Sequence, residues 1–249
     1  MVYKIIEQLK RQKTPIYFVN STTFGTVIAL ITSVITYSYV APDYLGIWVT
    51  LTTFSAYATF LRLGIPNGMN RELPYFLGKK DTEKAYSFAE TTLAYSLYIT
   101  GVLTLLVLGF LFFFDFEKYG TYEVSYRQAM YVVIFQVISE PYSTYLSGTF
   151  RTNDNFKKLS DIQMIMSLIR LVSIIFVFFW GFSGYLLREF VCSLINVSLL
   201  HVWRPLPQIK PKFSLPIFKN LFSVGFRIFL ISYVTTFIGT LPRLFIIND

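Results

Sequence analysis

Five arginines stand inside or at the edges of apolar runs in this sequence: Arg62, Arg170, Arg188, Arg227 and Arg243. A guanidinium stays charged at physiological pH and presents a planar fork of donors that suits phosphate or carboxylate. Placed within a bilayer it costs about 2.5–3.5 kcal/mol on insertion scales, so it faces a protein interior or a watery cavity, or snorkels to an interface. Three of the runs also carry polar residues at helical spacing. Thr52, Ser55, Thr59 and Arg62 share one helix face, and Gln163, Ser167, Arg170 and Ser173 share another. Gln136, Glu140, Ser143, Thr144 and Ser147 form a third stripe around the one deeply placed acid. Such groups supply non-covalent chemistry, with guanidinium and amide donors holding an anion. Arg62, Arg170, Arg188, Arg243 and Gln163 are the candidate substrate-binding residues. Glu140, followed by Pro141, is either a coupling site or the partner of a basic residue, for which Arg170 is the candidate. Snorkelling is an even alternative for Arg62, Arg188 and Arg243, and the favoured reading for Arg227 beside Leu230 and Ile231. Hydroxyls on the stripes can also bond their own helix backbone, which weakens each of them taken singly.

The elements that hold these residues are membrane spans. The 249 residues are 54% hydrophobic and 14% charged, where a soluble domain carries roughly 25% charged residues. Runs of the length a bilayer requires place seven helices at about Pro15–Ala41, Tyr44–Pro66, Phe88–Phe114, Arg127–Phe150, Leu159–Trp180, Gly184–Arg204 and Leu221–Ile247. The first two form a tight hairpin, and Gly181 and Gly184 break the fifth from the sixth. Counting loop cations fixes the expected orientation. Lys4, Lys10, Arg11 and Lys13, then Arg71, Lys79, Lys80 and Lys84, then Arg151, Lys157 and Lys158, then Arg204, Lys210, Lys212 and Lys219 fall on one side. Lys118 and Arg127 fall on the other, so the N-terminus is expected in the cytoplasm. The net charge of +8 is then a topology signal rather than a sign of nucleic acid. A single cysteine, Cys192, and a single histidine, His201, exclude a disulfide framework and a Cys or His metal cluster. No metal, cofactor or catalytic residue is expected.

The stretch "APDYLGIWVTLTTFSAYATFLRLGIPNGMNRELPYFLGKKDTEKA", Ala41 to Ala85, resembles the first-hairpin signature of polysaccharide flippases in the multidrug/oligosaccharidyl-lipid/polysaccharide exporter superfamily. The shared features are Gly46 after the first loop, the Leu63-Gly64 pair ending the second helix, Arg71-Glu72, and the Gly78-Lys79-Lys80-Asp81 turn. One departure stands out: many relatives carry an acid before the Leu-Gly pair, and this chain has Arg62 there, so no role transfers from that acid. The resemblance implies an all-α, polytopic helical bundle of the MATE-like kind. Residues 1–204 would form an N-terminal six-helix lobe, and 205–249 a cytoplasmic linker and the first helix of a second lobe. The function it implies is translocation of a polyprenyl-diphosphate-linked oligosaccharide or polysaccharide precursor across the cytoplasmic membrane by alternating access. Basic cavity residues would hold the diphosphate. Implied partners are the lipid-linked glycan, membrane lipids, the rest of a C-terminal lobe and polysaccharide-assembly proteins. Two other classes stay open: a cation-coupled multidrug antiporter of the same superfamily, whose cavity would be acidic, and a membrane-embedded glycan-assembly enzyme. A seven-helix receptor fits the helix count but not the loop charges.

Overall fold

The structure, a computed structural model, describes residues 2–113 and 117–247, without the side chains of residues 2–16, 54, 118–119, 232, 236–237 and 239–247. Eight α-helices follow in order: α1 (Val2–Tyr39), α2 (Pro42–Ala58), α3 (Ile65–Gly78), α4 (Thr82–Phe113), α5 (Glu123–Thr152), α6 (Phe156–Val172), α7 (Ile175–Val202) and α8 (Leu215–Ile247). Short 3₁₀ turns cover Thr59–Arg62 and Glu117–Tyr122. Among the described residues, five helical segments are long and apolar enough to cross a membrane: Tyr17–Tyr39, Pro42–Arg62, Thr82–Phe113, Ile175–Val202 and Leu215–Thr235. The chain is a multi-pass membrane protein. α5 and α6 occupy the two other expected spans, and the polar residues they carry, Gln136, Glu140, Asp161 and Arg170 among them, dilute their apolar character.

Local chemistry explains the breaks. Ala41 is extended and Pro42 opens α2 with its pre-set φ, which closes the expected hairpin after Tyr39. α2 tightens into the 3₁₀ turn and stops at Leu63 and Gly64, both left-handed with φ of 49° and 75°. A leucine in that region costs about 1–2 kcal/mol. The second span therefore ends at Arg62 rather than running through Pro66. In place of the expected loop comes α3, whose buried face is Ile65, Met69 and Leu73 while Arg71 and Tyr75 are exposed. Lys80, with φ of 62°, reverses the chain, and the Asp81 carboxylate accepts the Lys84 backbone N–H at 3.1 Å to cap α4. Within α7, Gly181 has φ 53° and ψ −124°, the expected glycine break. A Cβ on Gly184 would lie 1.9 Å from the Phe176 carbonyl oxygen, so the returning chain closes only over glycine. A further turn at Ser173–Ile174 divides the expected fifth span.

Packing divides along the bundle. Beyond α2, one core gathers Ile65, Met69, Phe88, Leu146, Phe150 and Leu221 from α3, α4, α5 and α8. At the α1–α2 hairpin a second core gathers Val40, Ile47, Ala129, Val177, Phe182 and Leu186. The first half of α8, the expected start of a second lobe, packs on α3 and α4. Its backbone touches that of α3: a Cβ on Gly68 would lie 2.4 Å from the Leu221 carbonyl oxygen, and one on Gly225 2.0 Å from that of Gly64. Gly64-x-x-x-Gly68 is thus a small-residue docking face of the kind that lets membrane helices approach closely. Further along α8, Ile231, Val234 and Ile238 are exposed.

Candidate functional site

The three polar stripes do not converge on one place. On α2 the hydroxyls turn inward to their own helix: Thr52 donates to the Trp48 carbonyl at 2.8 Å, Ser55 to Thr52 at 2.7 Å and Thr59 to Ala56 at 2.7 Å. Only Arg62 reaches across. Its Nη1 donates to Glu140 Oε1 at 2.8 Å and to Thr144 Oγ1 at 2.9 Å, while Nε donates to the Thr59 carbonyl at 3.3 Å. Thr144 in turn donates to Glu140 Oε1 at 2.6 Å. Glu140 is therefore paired with Arg62, at the end of α2, and not with Arg170. The pair is partly wet, its side chains 23% and 38% exposed. The Tyr95 hydroxyl fixes the end of α2 by donating to the Leu61 carbonyl at 2.7 Å, one of the acceptors a helix terminus leaves open.

Two cavities flank this pair. One of about 180 Å³ holds Ser55, Thr59, Gln136, Glu140 and Pro141 in its wall. Another of about 220 Å³ lies where α2, α3, α5 and α8 meet and is walled by Arg62, Asn67, Thr144, Phe229 and Tyr233. Arg62 belongs to both walls.

The α6 stripe is mainly a seam against α1. Tyr17 donates to Asp161 Oδ1 at 2.9 Å, Ser21 to Gln163 Oε1 at 3.2 Å, and a Cβ on Gly25 would lie 3.1 Å from Ser167 Oγ. Gln163 thus joins two helices. Beyond Gly25 the seam opens into a third cavity, of about 260 Å³, between the hairpin, α6 and α7. Arg170 and Arg188 line it with Glu189, Thr36, Trp48 and Tyr185. Arg170 is exposed, and its guanidinium has no hydrogen-bond or ion-pair partner among the described residues. Arg188 is 5% exposed, so it does not snorkel outward. Its Nη1 meets Glu189 Oε1 at 3.3 Å and its Nε donates to the Arg170 carbonyl at 3.4 Å. Trp48 and Tyr185 stand edge to face at 5.4 Å as an aromatic wall.

Arg227 is exposed on α8. Arg243 falls in α8, with its side chain outside the described residues. Sequence reasoning passed over the cavity's contribution from α1, namely Thr32, Ser33 and Thr36. The signal was the run Tyr17, Ser21, Gly25, Thr32 and Thr36, small or polar residues on one face of the uncharged stretch 14–39 of α1. Among the described residues no group of three His, Cys, Asp or Glu side chains could hold a metal ion.

No family model and no curated protein matches the sequence. Two solved structures match its fold. One is a MOP superfamily transporter from Pyrococcus furiosus, described as having a binding pocket of reverse polarity that suggests a different function. It superposes with a TM-score of 0.64 at 16% identity, over 86% of this chain and 51% of that one. The other is an outward-facing multidrug resistance MATE family transporter of the same superfamily, with a TM-score of 0.64, 16% identity, and coverage of 84% and 50%. The chain spans about half the length of each, and its fold is that of about half of such a transporter.

Proposed function

We propose that this chain forms the N-terminal lobe of a flippase that moves a polyprenyl-diphosphate-linked glycan across the cytoplasmic membrane. Its cargo is anionic, and Arg170 and Arg188 hold the phosphate or acidic sugar at the cavity of about 260 Å³. One observation carries this reading: a permanently charged guanidinium, without a partner among the described residues, opens on a cavity in which a second arginine is buried and Glu189 is the one acid among the described lining residues. A donor fork of that kind suits an oxyanion and repels an organic cation. The hairpin motif from Gly46 to Asp81 adds the identity of the anion by its resemblance to polysaccharide flippases. Transport needs no bond to break. Two lobes rocking about a midplane site expose it to each side in turn, with the N-terminus in the cytoplasm. Membrane lipids, a second lobe and polysaccharide-assembly proteins are the partners this reading requires.

A cation-coupled multidrug antiporter is the second reading. Glu140 on the cavity of about 180 Å³ favours it, as does the multidrug transporter among the similar folds. Against it, the Glu140 carboxylate already holds the Arg62 guanidinium. The similar Pyrococcus furiosus protein is described as having a pocket of reverse polarity, so pocket charge varies on this fold.

The test is surface glycan in the native host carrying substitutions on the chromosome. Arg170→Ala should reduce export roughly ten- to a hundredfold, the range of a charge-assisted hydrogen bond, with the protein still inserted. Arg170→Lys should keep part of the activity, since the charge remains and the fork does not. Undiminished glycan export in Arg170→Ala, or loss of drug efflux in its place, would defeat the flippase reading.

A further inference from the structure

We infer a second oxyanion site, in the cavity of about 220 Å³ at the junction of α2, α3 and α8, with Arg62 as its charged donor and Glu140 as a built-in competitor for that donor. It deepens the proposed reading of an anionic cargo and stands about 20 Å along α2 from the cavity of Arg170, the span from Trp48 to Arg62 at the rise of an α-helix.

The donor inventory carries the inference. A guanidinium has five N–H donors. Arg62 commits two from Nη1 and one from Nε, to Glu140, Thr144 and the Thr59 carbonyl, which leaves both N–H groups of Nη2 without a partner among the described residues. Asn67 contributes a side-chain amide and Tyr233 a phenol, neither with a hydrogen-bond partner among the described residues. Among the described residues no acid lines this cavity; Glu140 lines the neighbouring one of about 180 Å³. Uncommitted donors around a guanidinium, with the balancing carboxylate lining the neighbouring cavity, suit a phosphate oxyanion. The pocket is also built from rigid parts. The left-handed pair Leu63-Gly64 and the backbone contact of Gly64 with Gly225 fix the α2–α3 corner below Arg62.

Glu140 sets how strongly the site binds. While its carboxylate holds Nη1, Arg62 presents a neutralised pair to an incoming anion, and binding relies on hydrogen bonds. An oxyanion that takes over the fork displaces Glu140, so occupancy of the cavity and release of the α2–α5 link are one event. The ligand chemistry is a phosphate mono- or diester, supplied either by cargo or by an anionic lipid headgroup.

The experiment titrates inorganic pyrophosphate into the purified protein in phosphatidylcholine nanodiscs by calorimetry. Glu140→Gln keeps the side-chain shape, removes the competing charge, and should tighten binding about tenfold. Adding Arg62→Gln to Glu140→Gln should abolish the gain, while Arg62→Lys in the same background should keep part of it and serve as the variant that folds. Asn67→Leu should weaken binding in the Glu140→Gln protein. Repeating the titration in phosphatidylglycerol nanodiscs separates the sources: weakened pyrophosphate binding assigns the site to a headgroup, and unchanged binding assigns it to soluble or cargo phosphate. A gain that survives loss of Arg62, or no gain in a monodisperse Glu140→Gln protein, overturns the site. Abolition of the gain by Arg170→Gln also overturns it and leaves the Arg170 cavity standing. Persistence of the gain in Arg170→Gln keeps the second site whatever the export assay returns for Arg170.

Discussion

Arg62 and Arg170 lie in different regions of the same bundle and answer the cost of a membrane charge in different ways. Arg62 stands at a tightly built corner, where a carboxylate, a threonine hydroxyl and a backbone carbonyl take up its donors. Arg170 stands where the α1–α6 seam opens, beside the buried Arg188, with one acid among the described lining residues, Glu189, facing two guanidinium groups. The first region is close to electrically neutral and is held by contacts that stabilise the fold. The second keeps an excess of positive charge that stabilises nothing in view. Such an excess persists only where water or a ligand satisfies it. On the proposed reading, binding concentrates at the hairpin end, while the α3–α8 region combines structure with a conditional site.

Breaking the corner should have the largest effect. Gly225→Val places side-chain carbons where a Cβ alone would stand 2.0 Å from the Gly64 carbonyl oxygen. Both neighbours are backbone and cannot swing aside, so α8 must lift from α3. A loss of at least about 1–3 kcal/mol is expected, as for overpacking of a close contact. Thermal unfolding in detergent measures it, and cysteine reactivity at Ser33→Cys reports whether the hairpin end stays intact. A Gly225→Val protein as stable as the parent would show that the α3–α8 contact does not hold the corner.

Removing the charges one at a time sharpens the contrast. Arg62→Ala leaves Glu140 without its partner in a partly wet site, for an expected cost of about 1–2 kcal/mol, below the 3–5 kcal/mol of a dry pair. Removing Glu140 as well should recover part of that cost. Arg170→Ala should change stability by less than about 0.5 kcal/mol, as for an exposed side chain without a partner among the described residues. Equal losses from the two arginines would erase the distinction drawn between the two regions.

How much of this was legible beforehand depends on what each residue had to find. The helices and the breaks at Pro42 and Gly181 follow from apolar length and backbone chemistry, both local. The arginines were legible as an anomaly, because an isolated charge in an apolar run is visible in one dimension. Their partners were not. Glu140 lies near the middle of α5, and whether it meets Arg62 or Arg170 depends on where α2 stops. That was set by a left-handed leucine, which residue type disfavours. The α6 stripe was visible too, yet its period cannot distinguish a seam from a cavity wall. Gln163 and Ser167 proved to face α1, where Ser21 and Gly25 supply the matching surface.

That seam gives a smaller effect with a sharp boundary. Ser167 is 6% exposed and Ser33 is exposed on the cavity wall. A small hydrophilic thiol reagent should label Ser33→Cys and Arg170→Cys at least about tenfold faster than Ser167→Cys, because the thiolate must meet the reagent in water. Equal rates along α6 would mean that the seam is wet throughout and that the cavity has no floor at Gly25.

The smallest expected effect lies at the rim of the hairpin end. Tyr122 donates its hydroxyl to Asp43 Oδ2 at 3.0 Å and meets Tyr44 edge to face at 5.6 Å, tying the Glu117–Tyr122 turn to the start of α2. That hydrogen bond, aided by the Asp43 charge, holds the phenol above the ordinary tyrosine value near 10. A raised pKa in the folded state means the neutral form is the one the fold favours. Its contribution is complete below the unfolded tyrosine pKa and is lost as the pH climbs through the raised folded value. The melting temperature of the parent should therefore fall more steeply above pH 10 than that of Tyr122→Phe, which has no proton to lose there. At neutral pH the two should differ little, since Tyr122 is only half-buried and water can replace the lost partner. The rim would thus be adjusted by a single hydrogen bond while the Arg170 cavity behind it keeps its charge. Parallel pH curves for parent and variant would show that the turn is held by the Tyr44 ring contact and not by Asp43.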